Sequence, residues 1–185
     1  VVIFAYAAYR EPFTRAKSIA LLLTFLGTVL VASGSSSIVL GGDLRGLAFG
    51  LLAGAATAVY VLAGKRALVT YDAKTAVFYS FLFGALALST LRILQLGPAF
   101  NLGRSVMLIV LVIAVVPTLL GYGTFTYSLR FIEAGRASIA SSIEPAVAIY
   151  IAYLFLGEAP NLTQLVGSAL IIVSVVLLQL KFLRT

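Results

Sequence analysis

Residues 137–158 read ASIASSIEPAVAIYIAYLFLGE, and the fold follows from how this stretch is read. Most of it is apolar enough to lie in lipid, yet Glu144-Pro145 sits inside it. An acidic side chain at the bilayer centre costs ~2.5–3.5 kcal/mol on insertion scales. Pro145 has no N–H, so it frees the carbonyl of Ser141 one turn earlier. A buried charge and a weakened backbone are tolerated in a membrane only against protein or a water-filled cavity. The stretch therefore reads as one wall of a membrane cavity, and the rest of the chain as what encloses it.

Composition agrees. Of 185 residues 62% are hydrophobic and only 10% charged, with mean hydropathy +1.12. A soluble domain of this size does not need so much apolar surface, and the class is all-α integral membrane. The net charge of +7 would suggest nucleic acid in a soluble protein. Here the basic residues are scattered through short loops between apolar runs, so membrane topology accounts for them and no nucleic acid is implied. The absence of Cys and His removes thiol nucleophiles, imidazole bases, disulfides and soft-metal sites. No cofactor is implied.

Working outward, the chain divides into apolar runs. Val1–Tyr9 is too short to span and reads as the end of a helix begun upstream. Full runs follow at Ser18–Ala32, Leu44–Gly64, Thr75–Leu96, Ser105–Leu129, Ala137–Gly157 and Thr163–Leu180. Loops after the first, third, fifth and seventh runs, the short one included, hold ten of the 13 Lys and Arg residues; Arg45, Arg92 and Arg104 belong to the other side. That bias assigns the first set, with the C-terminus, to the cytoplasm. Lys74 and Arg136 are then inside, Asp43 and Glu158 outside. Glu133, between Arg130 and Arg136, reads as a solvated loop charge, and Arg92 as a residue snorkelling from a helix end.

Sliding the chain by 147 residues lays Val1–Val31 on Ala148–Leu178. Ala5/Ala152, Tyr6/Tyr153, Glu11/Glu158, Leu23/Leu170, Val29/Val176 and Leu30/Leu177 coincide. Identity between two Leu/Val-rich segments is weak evidence alone. The shared order of helix, Glu-containing turn and short helix is stronger. Three runs lie between the copies, which sets matching helices five runs apart, so the repeats are inverted, as in many secondary transporters.

The segment SIEPAVAIYIAYLFLGEAPNLTQLVGSALIIVSVVLL (Ser142–Leu178) resembles the last two helices of the drug/metabolite transporter superfamily, in its EamA-type branch. So do SLRFIEAGRASIASSIEP (Ser128–Pro145) and the turns Arg10-Glu11-Pro12 and Gly157-Glu158-Ala159. The resemblance implies an inverted-repeat helical bundle of ten helices in two five-helix halves, set in the inner membrane. Residues 1–33 would then end the first repeat, 34–43 link, and 44–185 form the second. Helices one to three and most of the fourth would lie upstream.

Several residues are candidates for function. Glu144 is placed to bind a cationic or amino group or to take up a coupling proton; the alternative is a structural carboxylate. On a helix its face carries Ala137, Ala140, Ser141, Val147, Ala148 and Ile151. It is expected to be protonated in an empty cavity or held by hydroxyls such as that of Ser141. Gly46, Gly50 and Gly54, with Ala58, form a small-residue ladder suited to close helix packing. Thr57 and Tyr60 lie off that ladder and are candidate lining residues. Pro117, Gly121 and Gly123 interrupt the fifth run, next to Tyr122 and Thr124. Broken helices with hydroxyls are where transporters expose backbone to substrate, and a packing kink is the alternative. Tyr127, beside Arg130, reads as an interfacial anchor.

A secondary transporter of small metabolites, working outward by alternating access, unites these features. Amino acids or drug-like compounds are the substrates the resemblance implies, and protons a candidate coupling ion. Its partners are the lipid bilayer and the substrate. The alternatives are a non-transporting scaffold or channel, and an integral-membrane enzyme; Ser141, Ser142 and Glu144 make a poor catalytic set. The third, fifth and sixth runs are expected around a polar cavity. The second and seventh look featureless and peripheral.

Overall fold

The structure, a computed structural model, describes residues 1–34, 44–96 and 103–182. The linker read beyond Gly34, the loop at Gly97-Pro98 and Asn101, and Arg184 of the tail lie outside the described residues. Every described element is helical: α1 (Val2–Tyr9), α2 (Arg15–Gly34), α3 (Leu44–Ala67), α4 (Ala73–Leu96), α5 (Arg104–Ile113), α6 (Gly121–Ser128), α7 (Ala134–Ser141), α8 (Glu144–Ile151) and α9 (Leu162–Phe182). Wider π-helical turns at Ala114–Leu120 and Ala152–Leu156 join α5 to α6 and continue α8. By length and composition, six stretches can cross a membrane: Arg15–Gly34, Ala48–Ala67, Ala73–Gln95, Arg104–Ser128, Ala134–Leu156 and Leu162–Leu180. These are the six full runs read from the sequence.

The helices run further into the loops than hydropathy alone suggests. Thr14 accepts the Lys17 N–H through its hydroxyl at 3.3 Å and so caps α2, which places Lys17 in the first helical turn. At the end of α3, Lys65 donates to the carbonyls of Ile132 at 2.7 Å and Leu129 at 3.5 Å. Lys65 and Arg66 are therefore helical, where the sequence suggested a basic loop.

Both prolines break their helices, each differently. Pro117 cannot donate to the Ile113 carbonyl. The helix widens to π geometry there, and Thr118 turns its hydroxyl back to that carbonyl at 3.0 Å. At Pro145 the helix stops instead. Ser142 and Ile143 form a turn, their N–H groups bonding Ile139 and Ala140, and Pro145 begins α8. The first turn of a helix needs no N–H there, so proline fits.

Contacts divide the chain into two units, Val1–Val59 with Glu133–Thr185, and Tyr60–Ile132. In the first unit α2 and α9 pack antiparallel along their length, because Thr24 meets Ser174 and Gly27 meets Ile171. A Cβ on Gly27 would stand 2.7 Å from the Gly167 carbonyl oxygen, and one on Gly167 would stand 2.6 Å from the Gly27 carbonyl oxygen. Only glycine lets the two backbones approach so closely. Ser174 donates to the Ile171 carbonyl at 2.8 Å. Thr24 is then the donor in its buried 2.7 Å bond to Ser174. The expectation that these two helices are featureless is corrected: neither leucine nor valine, but two glycines 140 residues apart and a hydroxyl pair, set their crossing. Val2, Ala20, Ile139 and Leu178, with Leu21 against them, fill the core beside it.

The 147-residue offset recurs in the backbone. Arg10 ends α1 and Gly157 ends the turn after α8, both left-handed, with φ of 52° and 69°. Arg15 opens α2 and Leu162 opens α9 at the same offset. Thr14 caps α2, and at its image Asn161 accepts the Gln164 N–H at 2.9 Å to cap α9. Under the exchange, the Thr24–Ser174 contact maps onto Gly27–Ile171.

In the second unit α4 packs on α6. Tyr60, on α3, shares a 3.0 Å hydrogen bond with buried Thr126. Arg130 pairs with Asp72 at 3.4 Å on the exposed surface, where such a pair contributes little.

Candidate functional site

Glu144 opens α8, and Pro145 follows it in the first turn. The carboxylate thus stands in the first turn of α8, at the positive end of its dipole. It is exposed, and no hydrogen bond or ion pair reaches it among the described residues. Ser141 does not hold it: its hydroxyl donates to the Ala137 carbonyl at 3.0 Å. Ser142 likewise donates to Ser138 at 3.1 Å. The common face expected from Ala137 to Ile151 is also interrupted, because α7 and α8 are separate helices. Ala137 is 2% exposed, in the packed part of α7. Val147, Ala148 and Ile151 remain exposed on α8, with Glu144.

The second unit brings two candidates together. Tyr60 and Tyr122 meet edge to face with ring centres 5.5 Å apart, and Phe81 of α4 meets Tyr122 at 5.7 Å. Such pairs of rings are favourable beyond the area they bury. Thr126, which sequence reasoning did not select, shares a hydrogen bond with the Tyr60 hydroxyl. Its signal was its place one turn beyond Tyr122, on the same helix face. Thr124 shares its hydroxyl between the carbonyls of Leu120 at 2.8 Å and Gly121 at 3.0 Å. Thr57 bonds Ala53 at 2.9 Å. A Cβ on Gly121 or Gly123 would meet nothing within 4 Å among the described residues, and the same holds at Gly46, Gly50 and Gly54. Tyr127 stacks edge-on against Phe131 at 5.2 Å.

A third group was missed. Lys17 is 2% exposed and Glu11 8%. The Lys17 ammonium lies 2.7 Å from Glu133 and 3.5 Å from Glu11, and Arg136 braces Glu133 at 2.9 Å. Glu133 is the N-cap of α7 but its side chain does not cap. Glu11 supplies the cap from another element: its two oxygens accept Ala134 N–H at 2.8 Å and Gly135 N–H at 3.1 Å. Glycine at 135 leaves room, since a Cβ there would stand 3.1 Å from a Glu11 oxygen. Partial burial works to raise the Glu133 pKa; the hydrogen bond and charge of Lys17, then Arg136, outweigh it and hold the carboxyl below its usual range. The reading of Glu133 as a solvated loop charge is thereby corrected. The solvation is replaced by two cations, one of them buried.

Comparison with known proteins gives a consistent picture. A model of the EamA-like transporter family matches residues 44–180. An uncharacterized transporter of Clostridium kluyveri is 26% identical over 174 residues, 92% of this chain and 56% of that protein. An uncharacterized inner membrane transporter of Salmonella typhimurium, YicL, is 27% identical over 165 residues, 89% of this chain and 55% of its own length. The threonine/homoserine exporter RhtA of Escherichia coli K12 is 34% identical over 130 residues, 70% of this chain and 43% of the exporter. The chain spans about half the length of the curated relatives it matches. No solved structure matches it.

Proposed function

We propose a transport role: the chain belongs to the EamA-like transporter family, and we read the protein as a secondary transporter that moves small metabolites outward by alternating access. The observation that carries this reading is the interrupted span Ala134–Leu156, in which Glu144 opens a new helix inside an otherwise apolar stretch. The exposed Glu144 carboxylate suits a cationic or amino group, as a pairing of opposite charges in a low-dielectric site, and the half-helix N-terminus beside it suits an anionic group of the same substrate. Thr57 and Ser141 in the first unit, and Tyr60, Tyr122 and Thr124 in the second, are proposed as substrate-contacting residues. Relatives named as transporters and as a threonine/homoserine exporter support an amino-acid-like substrate and outward movement. The hydroxyls of Ser141 and Ser142 are directed to carbonyls rather than to a base, which favours transport over catalysis.

The same reading places the C-terminus in the cytoplasm, on the ten-to-three bias of basic residues. It assigns 1–33 and 44–185 to two inverted repeats, supported by the 147-residue offset and by the family match over 44–180. The test uses cells producing the full-length protein, loaded with labelled threonine or homoserine and with a panel of other amino acids and cationic drugs. Wild-type protein is expected to lower retention of at least one compound. Glu144→Gln, present at the normal level in the membrane, is expected not to. If no compound is exported or exchanged, a scaffold or channel reading replaces this one.

A further inference from the structure

We infer that Glu11, Lys17 and Glu133 form a charge latch that clamps the half-helix α7 to the α1–α2 corner, and that release of this latch opens the cytoplasmic end of the transporter. The opening step rests on the transport reading; the latch itself does not.

Three features carry the inference. First, the cluster joins chain segments more than 100 residues apart through charges that are mostly buried, with Lys17 2% exposed and Glu11 8%. Taking such ions out of water is costly, and a buried network is better suited to choosing one arrangement than to adding stability. Second, the clamped element is short and set off from the rest of its span. Helix α7 ends at Ser141, and the Ser142–Ile143 turn separates it from α8. Its N-terminus is held by Glu11, whose oxygens take the two N–H groups the chain itself leaves uncapped. Third, the two ends of the α2–α9 pair differ. The 147-residue image of Lys17 is Gln164, which accepts the Asn161 N–H at 3.0 Å in a local capping box and forms no ion pair. The image of Glu11 is Glu158, which is exposed. Asn161 instead donates through its amide to the Gly34 carbonyl at 2.6 Å. One end of the pair is thus closed by charge and the other by neutral hydrogen bonds.

In the latched state Ala137 is shielded. The chain has no native cysteine, so Ala137→Cys reports opening directly. The full-length protein carrying it is treated, in inside-out vesicles, with a membrane-impermeant maleimide. Glu133→Gln keeps the side-chain shape but removes the charge facing Lys17. It is expected to raise the labelling rate about tenfold. Arg130→Gln, at the exposed pair with Asp72, is expected to leave the rate unchanged. Glu11→Gln, which weakens the α7 cap, is a second route to the same increase. Faster labelling in the Glu133 and Glu11 variants, but not the Arg130 variant, supports the latch. Unchanged labelling in folded Glu133→Gln protein overturns it, as does an equal rise in all three. Faster labelling with no substrate moved in the export assay keeps the latch and removes the transport reading.

Discussion

The α2–α9 crossing offers the sharpest test of the packing. In Gly167→Ala the added Cβ falls 2.6 Å from the Gly27 carbonyl oxygen and 2.8 Å from the Val31 nitrogen, both backbone atoms. Neither can rotate away. Reaching ordinary contact at 3.4 Å requires the helices to part by about 0.8 Å. The Thr24–Ser174 bond, now 2.7 Å, would stretch by a similar amount, beyond the usual ~2.5–3.0 Å for hydroxyl bonds. Overpacking typically costs ~1–3 kcal/mol. A lost interhelical hydrogen bond in a membrane protein adds ~0.6 kcal/mol on average. The sum is a destabilisation of about 1.6–3.6 kcal/mol. SDS titration of the full-length protein in mixed micelles, followed by far-UV ellipticity, measures it. Gly50→Ala is the comparison, because a Cβ there meets nothing within 4 Å among the described residues. It is expected to be neutral or to stabilise α3 by up to ~0.5–1 kcal/mol through helix propensity. The reasoning is refuted if Gly167→Ala matches wild type within ~0.5 kcal/mol, or if Gly50→Ala is the more damaging of the two.

Three further outcomes follow. Glu133 has a folded pKa below the ordinary value of 4.5, so in the window between the two the unfolded chain binds more protons. Its contribution to stability is therefore complete above 4.5 and is lost as pH falls through the lower folded value; melting curves of Glu133→Gln should lose that part of the acid dependence. Thr118→Val removes the hydroxyl bond to the Ile113 carbonyl beside Pro117 and should cost ~1 kcal/mol in the same titration, whereas Thr118→Ser should retain wild-type stability. Tyr60→Phe removes the bond to Thr126 while keeping the ring against Tyr122, and should cost ~0.5–1.5 kcal/mol; Tyr60→Phe with Thr126→Val should recover part of that loss.

Much of the fold was legible because the decisive signals are local. Six apolar runs are long enough to span, and Pro117 and Pro145 must each disturb a helix, since a missing N–H acts within one turn. The form of the disturbance was not legible. Whether the backbone widens, as at Ala114–Leu120, or stops, as at Ser142–Ile143, depends on which neighbours take up the freed groups. The glycine ladder on α3 stood out because its members lie one turn apart. Gly27 and Gly167 lie on different helices and share no such spacing, although they make the close crossing. The charge cluster was hidden for the same reason: Glu133 is 116 residues from Lys17. A local clue did exist in the Thr14 cap, which moves Lys17 from loop to helix and raises the question of what a cation does there. At Glu144 the sequence located the break in the helix. The supposed Ser141 partner failed because a serine hydroxyl within a helix finds the carbonyl one turn back first.

The central claim is that the broken α7–α8 span lines an aqueous substrate path. It can be tested without knowing the substrate. Ala148 lies one turn beyond Glu144 and is exposed. A single cysteine at 148 in the full-length protein is offered a membrane-impermeant methanethiosulfonate in intact cells and in inside-out vesicles, alongside a lipid-soluble maleimide. The account predicts modification by the impermeant reagent from at least one face, and its loss when an exported compound saturates the path. Modification by the lipid-soluble reagent alone, from both faces, would mean that this wall faces hydrocarbon, and would contradict the account.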